Sequence, residues 1–239
     1  MLNKLPTIYI GYDPREHRYA EVLKASIELN TNDHYNIVPI VQSEVRRAGM
    51  YWRGTVGGKN VDMFDEKPFS TEFSFTRFLV PFLNQFSGLA LFLDCDMYLR
   101  HDVTELFDTF NKQYPIGCVK HVYKPAETVK MDNQVQTVYP RKNWSSVVMW
   151  NCDHPDHKWL TIGDVNTKTG SYLHAFDWIE SGVQGFDERW NWLDGHSSPE
   201  INPSLVHFTT GGPFWSHWKP KRIIDGIYAD EWLEFAATV

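Results

Sequence analysis

The chain has 239 residues, of which 42% are hydrophobic and 22% charged, so it is not disordered and is long enough for an α/β domain with a sizeable core. A mean hydropathy of −0.41 without a long uncharged apolar run excludes a transmembrane helix, and a net charge of −7 disfavours long-range attraction to nucleic acid or anionic membranes. The three cysteines are widely spaced and form no CxxC pair, and there is no room for a signal peptide before the first apolar run. We therefore expect a cytoplasmic protein.

The first part of the chain alternates strand and helix patterns. Residues 7–10 form a short apolar run that predicts a strand, and a helix pattern begins at about Arg15. Residues 36–41 predict a second strand, and the proline at position 39 is typical of a sheet edge. The polar, Gly-rich stretch 48–68 predicts a long loop.

An apolar stripe with helical spacing follows that loop. Its members predict one amphipathic helix that ends at Gly88. They are Phe75, Phe78, Leu79, Phe82, Leu83 and Phe86. Residues 89–93 are continuously apolar, as in a central strand. Residues 102–107 open another helix, and residues 146–150 predict a further buried strand.

This alternation predicts a single α/β domain with a mostly parallel central sheet and helices on both faces. No break in composition marks a linker, and the aromatic, polar segment from about Gly163 onward is expected to form a lid. The chain has 10 tryptophans, which indicate either a sugar-stacking surface or ordinary packing. Trp178, Trp190 and Trp192 are open to both interpretations.

Asp94 and Asp96 directly follow the 89–93 run, where ligands bind in open α/β sheets. If the chain stays extended there, both side chains leave on the same side, and a divalent cation such as Mg²⁺ or Mn²⁺ would relieve their repulsion. The alternative is an acidic turn. His207 ends a later apolar run, and as a third ligand it would favour Mn²⁺, although such a histidine alone is more often structural.

Three segments together resemble one enzyme family. They are Arg77–Leu83, Leu91–Asp96 and Asp102–Phe107. In this order they resemble glycosyltransferases of the GT-A fold, in particular the retaining family 8 group of glycogenin-like and lipopolysaccharide-galactosyltransferase-like enzymes. The resemblance extends from Ile8 to about Trp215 and is most specific in these segments.

The resemblance implies a GT-A domain over residues 1–239, with a nucleotide-binding part of about 1–110 and an acceptor and lid part of about 111–239. It implies a metal-dependent, retaining transfer of a sugar from a nucleoside diphosphate, expected to be UDP, to a hydroxyl acceptor. The expected cofactor is Mn²⁺ or Mg²⁺, and no stable membrane insertion is expected.

The family's functional residues can be carried over by position. The metal ligands fall on Asp94, Asp96 and His207. The nucleotide-binding residues fall on Gly11, Tyr12, Asp13, Arg77 and Asp94. Ser145 belongs to the segment that lines the donor-sugar pocket, and Asp177 is the candidate catalytic group beside the sugar, with a helix cap as its alternative. Arg77 lies off the apolar stripe, so its guanidinium is expected to be free for a forked contact.

The sequence departs from the family after His207. The lysine that grips the diphosphate is missing from residues 211–215. Backbone N–H groups of Gly211 and Gly212 are expected to form an anion-binding nest in its place, or Lys219 to reach in.

Other functions remain open. A haloacid-dehalogenase-type phosphatase would use Asp94 as a nucleophile. Its motif normally opens a chain and is followed by Thr or Val, whereas the motif here lies mid-chain and is followed by Met97. A non-catalytic sugar-binding module would explain the tryptophans only.

The acceptor could be a glycan, which we favour, a lipid-linked glycan, a protein hydroxyl, or a hydroxymethylated base in DNA, as for phage-encoded enzymes. A locally basic stretch could contact phosphates or be a solvated face. It contains Lys120, Lys124, Lys130, Arg141 and Lys142.

Overall fold

The computed structural model describes residues 5–32, 34–58, 60–122, 141, 143–209, 211–213 and 227–239. Lys219, the proposed diphosphate ligand, lies outside the described residues, as do three lysines of the basic stretch. These are Lys124, Lys130 and Lys142.

Strands and short helices alternate along the described residues. The strands are β1 (Thr7–Tyr12), β2 (Asn36–Val41), β3 (Leu89–Leu93), β4 (Met97–Leu99), β5 (Ile116–Val119), β6 (Val147–Asn151), β7 (Val183–Phe186), β8 (Trp192–Leu193) and β9 (Leu205–His207). The α-helices are α1 (His17–Asn30), α2 (Gln42–Arg47), α3 (Phe73–Thr76), α4 (Val80–Leu83), α5 (Thr104–Asp108), α6 (Ile162–Thr167), α7 (Gly170–His174) and α8 (Ala229–Ala236). None of these helices is both long and apolar enough to cross a membrane.

Six strands form the main sheet in the order β2-β1-β3-β6-β5-β7. β6 runs antiparallel to both of its neighbours, and the other five strands share one direction, so the predicted mostly parallel sheet is confirmed. β1, β3 and β6 are the buried centre of this sheet, which explains their continuous apolar sequences. Among the described strands β2 pairs with β1 alone, as expected for an edge strand that contains Pro39.

The continuous helix predicted from the aromatic stripe is wrong in one respect. The structure has α3, then a 3₁₀ turn at Arg77–Leu79, then α4. Pro81 lies in α4 and has no N–H to donate to the carbonyl four residues earlier, so the α-helical ladder cannot pass through this point. Phe75 and Phe78 still face the core, as the stripe predicts.

A smaller sheet, in the order β4-β9-β8, lies beyond the end of β3. The segment after Gly163 is not mainly a lid in the described residues, because β7 joins the main sheet and β8 and β9 build the smaller one. Trp178, Trp190 and Trp192 are only 3%, 2% and 1% exposed. They therefore act as core residues, and the packing interpretation applies to them.

Candidate metal centre

The two sheets bring the three predicted metal ligands together. Asp94 follows β3, and its N–H donates to the carbonyl of Ser146 at 2.9 Å. β4 and β9 pair antiparallel with Met97 opposite His207, so the histidine arrives beside the acidic pair despite its distance in sequence. One ligand atom from each of Asp94, Asp96 and His207 lies within 4.8 Å of the others, and His207 Nε2 is 3.3 Å from Asp96 Oδ1.

Asp94 is held at an electrostatic cost. Arg77 Nη1 lies 2.8 Å from Asp94 Oδ1 as an ion pair, but the same nitrogen directs its hydrogen bond to the carbonyl of Ser145 at 2.8 Å. Asp94 Oδ1 is buried and accepts no well-aligned hydrogen bond from any residue that the structure describes. Burial raises the pKa of Asp94 to about 6 and the nearby Asp96 adds to the effect, although Arg77 and His207 oppose it.

A further buried carboxyl group lies behind the pair. Cys95 Sγ donates to Glu16 Oε2 at 3.1 Å, and burial together with the negative charge of Asp96 raises the pKa of Glu16 to about 8. Burial also raises the pKa of the Cys95 thiol, which keeps it protonated. Glu16 was not predicted, because nothing in the sequence relates position 16 to position 95.

These residues fit a divalent cation. Two carboxylates and an imidazole converge, one carboxylate oxygen is buried without an aligned donor, and the buried His207 directs Nε2 toward Asp96. An oxygen-rich set with a single nitrogen suits Mn²⁺ better than Mg²⁺.

Arg77 differs from its sequence-based expectation. Its guanidinium is buried, pairs with Asp94, and also donates from Nε to the carbonyl of Phe73 at 3.2 Å. It is therefore part of the wall of the metal centre rather than free for a forked contact.

The three residues predicted at the end of β1 already have structural contacts. A Cβ on Gly11 would lie 2.6 Å from the ring of Phe73, so close packing requires glycine there. The hydroxyl of Tyr12 is 3.2 Å from Nδ1 of His17. Both oxygens of Asp13 accept hydrogen bonds from Arg15, and Oδ2 also accepts the N–H of residue 72. Burial opposes ionisation of Asp13, but these hydrogen bonds hold its pKa below the usual range.

On the donor-sugar side, Ser145 Oγ is 2.7 Å from Nδ1 of His174. The sequence analysis missed His174, whose position on α7 becomes informative only once the fold places it beside Ser145. The Gly211 N–H, one of the two amides expected to form an anion-binding nest, donates to the carbonyl of Phe208 at 3.0 Å, and the nest stays a prediction. Gly212 has a φ of 63° and sits close to Tyr19, where a side chain would collide.

Asp177 follows α7 and is exposed. Its N–H donates to the carbonyl of Tyr172 at 3.1 Å, in a turn at the C-terminus of that helix. Among the described residues, no hydrogen bond or ion pair joins the Asp177 side chain to the metal centre, and its catalytic role stays a prediction.

A cleft of about 590 Å³ lies next to His207, because Leu193 lines the cleft and pairs with His207 between β8 and β9. Its lining residues are Val119, Lys120, His121, Val122, Phe186, Glu188, Leu193, His196, Ser197 and Ser198. Burial, together with the neighbouring imidazoles of His207 and His196, lowers the pKa of His121 to about 4, although the carboxylate of Glu188 opposes the shift. His121 is therefore neutral at physiological pH.

Comparison with solved structures identifies the fold. The chain superimposes on the galactosyltransferase LgtC, crystallised with donor and acceptor sugar analogues, with a TM-score of 0.61 and 17% identity over 98% of this chain and 96% of that one. It also matches the glycosyltransferase GlyE of Streptococcus pneumoniae TIGR4 (TM-score 0.58, 15% identity, 98% of this chain and 60% of that one). A bifunctional glycosyltransferase, WbbM, matches at TM-score 0.58 and 15% identity, and all of this chain spans 50% of it. The chain therefore has the GT-A fold, as the resemblance implied.

A curated relative identifies the family more narrowly. The chain is 44% identical over 232 residues to Protein CDI of Arabidopsis thaliana, which covers 95% of this chain and 84% of that protein. The chain belongs to the family of Protein CDI. No known family model matches it.

Proposed function

We propose that this protein is a metal-dependent glycosyltransferase that moves a sugar from a nucleoside diphosphate donor to a hydroxyl acceptor, and that the nucleoside diphosphate is UDP. The observation that carries the proposal is the convergence of Asp94, Asp96 and His207 at the carboxyl end of β3 within a GT-A fold. LgtC, with the same fold, was crystallised with donor and acceptor sugar analogues, which supports a donor site and an acceptor site in this protein too. A phosphatase that uses Asp94 as nucleophile has no such support.

Asp94, Asp96 and His207 would hold the cation. A divalent ion held by these residues would supply Lewis-acid stabilisation for the negative charge of a departing diphosphate. Arg77 places a second positive charge beside the centre, 2.8 Å from Asp94 Oδ1. Gly11, Tyr12 and Asp13 at the end of β1 are proposed to border the nucleotide, and Ser145 with His174 the donor sugar. Retention of configuration at the anomeric carbon is proposed from the family resemblance alone.

We propose that the acceptor is a glycan and binds in the cleft beside His207. Imidazole, carboxylate, hydroxyl and ammonium groups line it, and these can hydrogen-bond sugar hydroxyls. The half-buried Phe186 and the exposed Val122 contribute apolar surface for the face of a sugar ring. The carboxylate of Glu188 in this wall, with the net charge of −7, disfavours a DNA acceptor.

The test is nucleotide release. Purified protein is incubated with a panel of nucleotide sugars, with and without Mn²⁺, and free nucleoside diphosphate is measured. We expect Mn²⁺-dependent release from at least one donor, at least 100-fold lower in Asp96→Asn. Asp108→Asn, which changes an exposed aspartate on α5, is the matched control and should behave as wild type.

The same samples give the contrary results. If wild type releases nucleotide from no donor and Mn²⁺ does not raise its unfolding temperature, the proposal fails. Hydrolysis of phosphomonoesters in place of nucleotide sugars would support the phosphatase.

A further inference from the structure

A chain of hydrogen bonds connects two of the three metal-centre residues, Asp94 and His207. The Asp94 N–H donates to the carbonyl of Ser146, and Ser146 Oγ accepts from Nδ2 of Asn191 at 2.9 Å. Asn191 Oδ1 is 2.9 Å from Nδ1 of His207, and His207 Nε2 is 3.3 Å from Asp96. One side chain, the carboxamide of Asn191, therefore links the histidine to the segment that holds the acidic pair.

The orientation of this carboxamide is determined by its surroundings. Asn191 Nδ2 donates to the carbonyl of Asn143 at 3.1 Å and to Ser146 Oγ, so its Oδ1 must face His207. Oδ1 is an acceptor, and so His207 Nδ1 carries the proton that it donates. In the neutral imidazole this leaves the lone pair on Nε2, the nitrogen that faces Asp96.

We propose that Asn191 is a positioning residue for the metal centre: it fixes the ring orientation and the tautomer of His207 so that Nε2 is presented to the cation. This inference rests on the proposed metal-dependent function. Histidines that bind metal commonly donate their other N–H to an oxygen acceptor that orients them, and loss of that acceptor weakens metal binding.

The choice of an amide over a carboxylate has an electrostatic reason. Two aspartates and Glu16 already place acidic groups around this point. Asn191 is fully buried, and a neutral acceptor orients the histidine without adding another desolvated negative charge. Asn191 lies in the 3₁₀ segment Glu188–Asn191, outside the strand β9 that carries His207.

A purely structural role makes a different prediction. If Asn191 only ties the Asn143–Ser146 segment to its surroundings, its loss would lower stability without a specific effect through His207. Aspartate at 191 would then be worse than alanine, because a buried carboxylate oxygen would face the carbonyl of Asn143. If Asn191 acts through His207, aspartate should be the better replacement, because it retains an acceptor for Nδ1.

The experiment measures Mn²⁺ affinity directly, by titration of the free Mn²⁺ signal in electron paramagnetic resonance, with no substrate present. We expect Asn191→Ala to bind Mn²⁺ about 10- to 100-fold more weakly than wild type, and Asn191→Asp to bind more tightly than Asn191→Ala. In a His207→Ala background, Asn191→Ala should cause no further loss, because the residue through which it acts is gone. Asn84→Ala, which removes a buried carboxamide bonded to Tyr9 and Ser87, is the matched control and should bind as wild type.

Each result supports or overturns the inference. Wild-type affinity in Asn191→Ala, or the same fold-loss with and without His207, overturns it while leaving the metal centre intact. Absence of Mn²⁺ binding by wild type overturns the metal-dependent function and this inference together. If Asn191→Ala does not fold, Ser146→Ala removes one of the two acceptors that orient the carboxamide, and a smaller but measurable loss of affinity is expected from it.

Discussion

The metal centre stores electrostatic strain that can be measured. Burial raises the pKa of Asp94 to about 6, against an ordinary value of 3.8, and this shift already includes the favourable attraction of Arg77 and His207. The ionised carboxylate therefore carries a net cost in the metal-free protein. About two pKa units at 1.36 kcal/mol each amount to about 3 kcal/mol.

The sign of the pH dependence follows from the raised pKa of Asp94. Between pH 4 and pH 6 the folded chain holds a proton at this carboxyl more tightly than the unfolded chain does. This contribution to stability is complete below pH 4 and is lost as the pH rises through 6. Asn cannot ionise, so Asp94→Asn should avoid the loss.

We therefore expect metal-free Asp94→Asn to be more stable than wild type at pH 8, by about 3 kcal/mol or about 6–12 °C in unfolding temperature, and equal to it near pH 4. Mn²⁺ at 100 times its dissociation constant should stabilise wild type by about 2.7 kcal/mol, and the variant much less. Tryptophan fluorescence during thermal unfolding, in EDTA or Mn²⁺ at both pH values, measures all these quantities. The reasoning would be refuted if the variant were no more stable than wild type at pH 8 in EDTA, or if its stability gain over wild type were as large at pH 4 as at pH 8.

Two predictions concern the stability of the fold. Arg53→Met should lower the free energy of unfolding by about 3–5 kcal/mol, because it leaves Asp62 buried without the hydrogen bonds of 2.7 and 2.6 Å from Arg53. Urea unfolding measures this loss. Adding Asp62→Leu should recover most of it, and no recovery would contradict the explanation. Gly11→Ala should cost about 1–3 kcal/mol in the same assay, because the new Cβ would lie 2.6 Å from Phe73, and unchanged stability would show that the ring can move away.

The central strands could be predicted from sequence because burial on both faces demands continuous apolar residues. This requirement is local, and it identified β1, β3 and β6 to within two residues at each end. It also located Asp94 and Asp96, because polar residues directly after such a strand stand at the edge where ligands bind.

Competing local signals explain the errors. The aromatic stripe has helical spacing through Pro81, and periodicity alone predicts one helix, but the missing N–H of that proline breaks the ladder. The aromatic C-terminal segment had a composition suited to a lid. Trp178, Trp190 and Trp192 are instead buried in the core, and the ring of Trp178 stacks 6.4 Å from that of Trp150 on β6. Composition does not encode which side of a residue meets the core.

Asn191 and Glu16 were beyond sequence reasoning for a geometric reason. The family resemblance already pointed to His207, which reaches the acidic pair through β4–β9 pairing, but Asn191 and Glu16 approach it from a 3₁₀ turn before β8 and another after β1. Each of these contacts joins residues that are distant in sequence, and no spacing rule connects them. The residues around a charged cluster must together limit its cost in the folded chain. A sequence can therefore show where charge accumulates, while the three-dimensional structure is needed to find the neutral amide and the protonated carboxyl that make this accumulation tolerable.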